Sequence, residues 1–185
     1  VNIKIAKRRF KAAGDLVVAV AHFLENVKPA NLSIDFGIIE FSKMTYIIEA
    51  VSVFRHKLQK LDIFIRLKEL EAKALENLSE FLLEPERLKR LSLRVLSTDV
   101  KVSRISKTFS KRIAGAVKLE EIVFEFDQIV LVNIFEITEL GHALSSLPLL
   151  RVLEINYFFS RKYIKAFAEI MPKLTYLEAL DRKSV

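Results

Sequence analysis

The sequence predicts a single α/β domain, residues 1–185, folded as a solenoid of about six to seven strand-helix units with a concave parallel β-sheet and helices on the convex side. Three observations predict it. First, an apolar spacing Leu-x-x-Leu-x-Leu returns along the chain at Leu58, Leu61 and Ile63, at Leu88, Leu91 and Leu93, at Leu119, Ile122 and Phe124, and at Leu150, Leu153 and Ile155. The middle positions form the series Ile3, Leu32, Leu61, Leu91, Ile122, Leu153, Leu177, with steps of 29, 29, 30, 31, 31 and 24. A nearly fixed period of this length means stacked units, each burying its apolar side against the next. Second, between these segments the apolar period lengthens from two to about 3.6, so a helix follows each strand. Third, the strands alternate. Asn31, Ser33 and Asp35 interrupt one, Lys60, Asp62 and Phe64 the next, then Arg90, Ser92 and Arg94, then Glu121, Val123 and Glu125, then Val152, Glu154 and Asn156. A strand covered by helices on both faces reads as a continuous apolar run, so one face of this sheet is expected to meet water.

Taken in order, the first strand carries Ile3 and Ile5 and leads to a helical stripe of Ala13, Leu16, Val20, Phe23 and Val27. Met44, Ile47, Val51, Phe54 and Leu58 form the second stripe, and Leu75, Leu78 and Leu82 the third. Val102, Ile105, Phe109 and Ile113, then Ile137, Leu140, Leu144 and Leu147, complete the set. Pro29, Pro85, Pro148 and Pro172 stand just past helical patterns, where a residue that cannot continue a helix does no harm. In the last unit the inward positions are expected at Leu177, Ala179 and Asp181. A doubly wound nucleotide-binding sheet would need a glycine-rich first turn, and Gly14, Gly37, Gly115 and Gly141 each stand alone.

These residues resemble the leucine-rich repeat family, in its long-repeat form with a full helix on the convex side, as in ribonuclease inhibitor. The resemblance spans nearly the whole chain. The family places asparagine three residues beyond the last leucine of the motif, where this chain has Gly37, Arg66, Leu96, Asp127 and Phe158. The turn after each strand is therefore expected to be held differently. The resemblance implies a binding scaffold, since the family serves many unrelated partners and few members are enzymes.

Composition narrows the classes further. The chain has no cysteine, which excludes disulfides, thiolate metal sites and cysteine nucleophiles, and fits an intracellular, cytoplasmic protein. No segment approaches the roughly 20 apolar residues of a membrane helix. The start at Val1 and the open edge strand point to a homo-oligomer or to a fragment of a larger parent chain. His22, His56 and His142 are the only histidines and lie far apart, and no Gly-x-Ser-x-Gly elbow occurs. The chain is accordingly expected to be no enzyme and to hold no metal or cofactor.

Two surfaces remain as candidates. The first is the concave face, with Lys60, Asp62, Phe64, Arg90, Arg94, Glu121, Glu125, Glu154, Asn156, Tyr176 and Glu178, basic in the centre and acidic toward the carboxyl end. Charged groups held at strand spacing make a rigid two-signed surface suited to a protein partner. The second rests on the net charge of +7. Lys4, Lys7, Arg8, Arg9 and Lys11, together with Arg104, Lys107, Lys111 and Lys118, could track phosphates, making nucleic acid the alternative partner. The plainer account of the second cluster is charge pairing with Glu71, Glu76, Glu80 and Glu84 of the preceding helix.

Overall fold

The computed structural model describes residues 1–4, 13–39, 41–67, 79–82, 86–97, 107–126, 134–157, 169 and 179–181. The strands are β1 (Asn2–Lys4), β2 (Asn31–Ile39), β3 (Lys60–Leu67), β4 (Arg90–Ser97), β5 (Glu121–Phe126), β6 (Val152–Tyr157) and β7 (Ala179–Asp181). The helices are α1 (Ala13–Val27), α2 (Phe41–Ser52), α3 (Lys107–Gly115) and α4 (Ile134–Ser145), with 3-10 turns at Arg55–Lys57 and Ser79–Leu82. All seven strands lie in one sheet in the order of the chain, every pair parallel. Parallel neighbours need a crossover, and the described helices occupy the stretches between strands where that crossover falls.

The repeated leucine positions become the core. Leu32, Leu61, Leu91, Ile122 and Leu153 are lateral partners across five strands, and Ile34, Ile63, Leu93, Phe124 and Ile155 form the next row. Each of these ten side chains is buried, in one cluster with Leu24, Ile47, Val51, Phe54, Phe109, Ile113, Leu140 and Leu144 from the helices. Phe109 meets Phe124 at 5.9 Å between ring centroids with the planes tilted 51°, a direct contact of α3 on β5. Full burial of a Leu, Ile or Phe contributes about 1.5–3 kcal/mol over leaving it exposed, so these rows fix which face turns inward.

Backbone hydrogen bonds repeat with the same period at the strands' amino-terminal ends. The Ala30 carbonyl accepts from the N–H groups of Gln59 and Lys60 at 2.7 and 3.2 Å. Gln59 accepts in the same way from Lys89 and Arg90, Lys89 from Glu120 and Glu121, and Glu120 from Arg151 and Val152. Four successive junctions are thus stitched by one carbonyl taking two donors.

The structure corrects the sequence expectations at three places. On α1, Phe23 and Val27 are 47% and 46% exposed, and Leu24 is the fully buried residue, so the stripe is turned by one position at its carboxyl end. A single terminal helix has two apolar flanks to choose from, and periodicity alone does not say which one packs. At the other end, the register sets Leu180 beside Leu153, with Ala179 beside Val152 and Asp181 beside Glu154. The last step is therefore 27 residues rather than 24, and Leu177 is not the repeat position. Third, Ser92 and Val123, expected on the water-facing side, are 3% and 2% exposed. Each lies between longer neighbours of its own strand, Arg90 and Arg94 on β4, Glu121 and Glu125 on β5.

At the positions where the resemblance would place asparagine, β3 and β4 continue as strand through Arg66 and Leu96. In β2 the register shifts between Asp35 and Ile38, one extra residue against β3, and Gly37 lies inside that bulge.

Candidate functional site on the open face of the sheet

The face turned away from the core is organised in three rows, set by strand alternation and the parallel register. One runs Asn31, Lys60, Arg90, Glu121, Val152, the next Ser33, Asp62, Ser92, Val123, Glu154, and the third Asp35, Phe64, Arg94, Glu125, Asn156. Seven of the predicted partner-binding residues with described side chains lie on β3 to β5, and Glu154 follows on β6. Asn156 holds its place in the ladder by backbone pairing with Glu125. Tyr176 and Glu178 lie outside the described residues, three and one positions ahead of β7.

Charge on this face is arranged differently from a free basic centre. Arg90 bridges two strands: its Nε donates to Asp62 on β3 at 3.3 Å, and its Nη1 donates to Glu121 on β5 at 2.5 Å. The side chains of Arg90, Asp62 and Glu121 are 32%, 38% and 30% exposed. Burial works to lower the Arg90 pKa, yet the charges of Glu121 and Asp62, with their hydrogen bonds, outweigh it and hold the guanidinium above its ordinary value. Arg90 is thus spent on the sheet itself.

Arg94 differs although it is two residues away on the same face. Its contact is with Glu125 at 3.6 Å, beyond good hydrogen-bond distance, and 46% of its side chain is exposed. It borders a depression of about 160 Å³ lined by Ser33, Asp35, Asp62, Phe64, Arg90 and Ser92 as well as Arg94. Sequence reasoning treated the two arginines alike because they carry the same charge at equivalent positions in the alternation. The signal that separates them is lateral: each has a glutamate at its own level on β5, but one row further along β3 the register sets Asp62 for Arg90 and Arg66 for Arg94.

A second charged row runs along the amino-terminal ends of the strands, where Lys89 Nζ donates to Glu120 Oε1 at 2.9 Å. That hydrogen bond, with lesser contributions from the Lys89 and Arg151 charges, holds the Glu120 carboxyl below its usual range. This row was not anticipated, since its members sit one residue before each strand.

The basic alternative divides between described and undescribed residues. Lys4 and Lys107 belong to β1 and α3 by backbone, and Lys7, Arg8, Arg9, Lys11 and Arg104 lie outside the described residues. Lys111 and Lys118 are exposed. On α3 itself, Arg112 donates to Ser79 Oγ at 2.6 Å and pairs with Glu80 Oε1 at 2.7 Å, a bond between neighbouring units of the kind expected from mutual charge pairing.

For catalysis the described residues offer little convergence. His22 lies 3.8 Å from Glu25 on the exposed side of α1, and His56 and His142 are exposed. No group of three His, Cys, Asp or Glu side chains that could hold a metal occurs among the described residues. No described helix is long and apolar enough to cross a membrane.

No protein-family model matches the chain, and no curated protein matches it. Among solved structures the chain is similar to a tropomodulin C-terminal domain from Caenorhabditis elegans, with a TM-score of 0.51 and 15% sequence identity. The match covers 85% of this chain and 93% of that one. The likeness is one of fold, in agreement with the sequential parallel sheet.

Proposed function

We propose that the chain is a leucine-rich-repeat solenoid of the ribonuclease-inhibitor-like type, about six to seven strand-helix units in a single domain, acting as a non-catalytic scaffold that binds a protein partner on its concave sheet face. The observation that carries this reading is the order of the open face. Lys60, Arg90 and Glu121, and Phe64, Arg94 and Glu125, stand in fixed rows across consecutive strands, with side chains tied laterally by ion pairs. A surface already ordered loses little conformational entropy on binding, and alternating signs reject partners of the wrong pattern. The likeness to a tropomodulin C-terminal domain supports the architecture on which such a face is displayed.

The test is affinity purification from the native source with three baits: the wild type, a Arg94→Glu/Glu125→Lys variant of the open face, and a Lys111→Glu/Lys118→Glu variant of the helix side. The proposal expects the same specific partner with the first and third baits and its loss with the second. A partner retained by the open-face variant and lost by the helix-side variant would overturn it.

A further inference from the structure

Arg94 stands on β4, the fourth of the seven described strands, and has no hydrogen-bond partner among the described residues. Its guanidinium is a planar fork of donors whose natural complement is an oxyanion. Three features beside it shape what that anion can be. Phe64 is its lateral neighbour on β3, giving an aromatic flank. The adjoining depression, about 160 Å³, is lined by Ser33, Asp62 and Ser92 at its middle row. That is smaller than the roughly 300–1,000 Å³ of sites for whole small molecules, and of a size to take one side chain. Asp35, Asp62 and Glu125 stand around the same spot. A dianionic phosphate would bring twice the charge of a single carboxylate up to Asp62 and Glu125, whereas a carboxylate faces about half that repulsion and still gains both arms of the fork.

From this we infer that Arg94 is the anchor of the open face and captures a carboxylate side chain of the protein partner, seated against Phe64 over the depression, while Arg90 holds the sheet together through Asp62 and Glu121. The inference rests on the proposed function, whose partner it specifies. Taking the carboxylate moves Arg94 off Glu125, at 3.6 Å a loose contact, and leaves Glu125 to receive a basic residue of the same segment. The matching motif is an acidic residue with a basic residue one strand spacing away, about 4.8 Å across the sheet. Arginine is among the residue types enriched in binding hot spots.

A random dodecapeptide display library selected on the immobilised wild type provides the probe, followed by titration of synthetic copies of the enriched peptides. The inference predicts enrichment of sequences that pair Asp or Glu with Lys or Arg, binding weakened about 10-fold or more by Arg94→Ala and also by Arg94→Lys, which keeps the charge but loses the fork. Lys111→Glu with Lys118→Glu, two exposed residues on the helix side and checked by circular dichroism to be folded, should alter binding less than about 2-fold. Enriched peptides that bind equally well to Arg94→Ala, or that lack acidic residues, overturn the anchor while leaving the open face as the binding surface. Peptides whose binding is untouched by every open-face substitution overturn both the anchor and the proposed function.

Discussion

Replacing Arg90 with methionine keeps the aliphatic stem beside Ser92 and removes the charge that joins β3, β4 and β5. Two charge-assisted contacts are lost, to Asp62 at 3.3 Å and to Glu121 at 2.5 Å. Fully exposed pairs contribute about 0.2–1 kcal/mol each, and hydrogen bonds to charged groups about 1.5–3 kcal/mol. With side chains about one-third exposed, each contact falls near the boundary of those ranges, at about 1 kcal/mol, so Arg90→Met should cost about 2 kcal/mol. Both carboxylates still reach water, which keeps the cost below the larger figure for a stranded buried charge. Urea unfolding followed by circular dichroism measures it, with an unchanged m-value showing that the same surface unfolds. A double-mutant cycle with Glu121→Gln should return a coupling of about 1 kcal/mol, shrinking in molar salt as the pair is screened. A loss under about 0.3 kcal/mol with no coupling would refute the reasoning, because the bridge would then hold nothing together.

Three further outcomes are expected. Lys28 ends α1 with a φ of 47°, its N–H donating to the Leu24 carbonyl at 2.9 Å before the buried Pro29, so Lys28→Gly should stabilise the fold by about 0.5–1 kcal/mol in thermal melts; a loss of stability would contradict the left-handed cap. The Glu120 carboxyl, held low chiefly by the Lys89 hydrogen bond, contributes stability that is complete above the ordinary glutamate pKa of about 4.3 and is lost as pH falls through the lowered folded value; Lys89→Gln should move the Glu120 titration upward by NMR, and an unmoved titration would dismiss the pair. In this cysteine-free chain, Glu154→Cys with Asp181→Cys should cross-link on mild oxidation, since laterally paired strands about 4.8 Å apart fit disulfide geometry, whereas Glu154→Cys with Glu178→Cys should not; the reverse result would restore the earlier register for β7.

The rows Leu61-Leu91-Ile122-Leu153 and Ile63-Leu93-Phe124-Ile155 were legible in the sequence because burial forces apolar residues to the same two positions in every unit. Period and alternation therefore reveal both the strands and the face they bury. The ends were harder to read. Phe23 and Leu24 are both apolar and adjacent, and only the packing of α1 against α2 in the shared core selects Leu24. Leu177 and Leu180 lie three residues apart in the segment Leu-Glu-Ala-Leu, and pairing with β6 selects the second. On the open face the sequence showed which residues share it, and the alternation placed Arg90 and Arg94 together. Their different roles depend on lateral neighbours 28 to 31 residues away, a relation that composition does not display. The burial of Val123 has the same origin, since Glu121 and Glu125 beside it reach across toward Arg90 and Arg94.

The central claim is that the open face receives a protein partner around Arg94. Amide chemical-shift mapping on the isotope-labelled protein, titrated with the partner isolated by affinity capture, tests it most directly. The largest shifts are expected at Asp62, Phe64, Ser92, Arg94, Glu125 and Glu154, across β3 to β6. Shifts concentrated instead at Phe23, Tyr46, Lys111 and Lys118, with the strand residues unmoved, would contradict it.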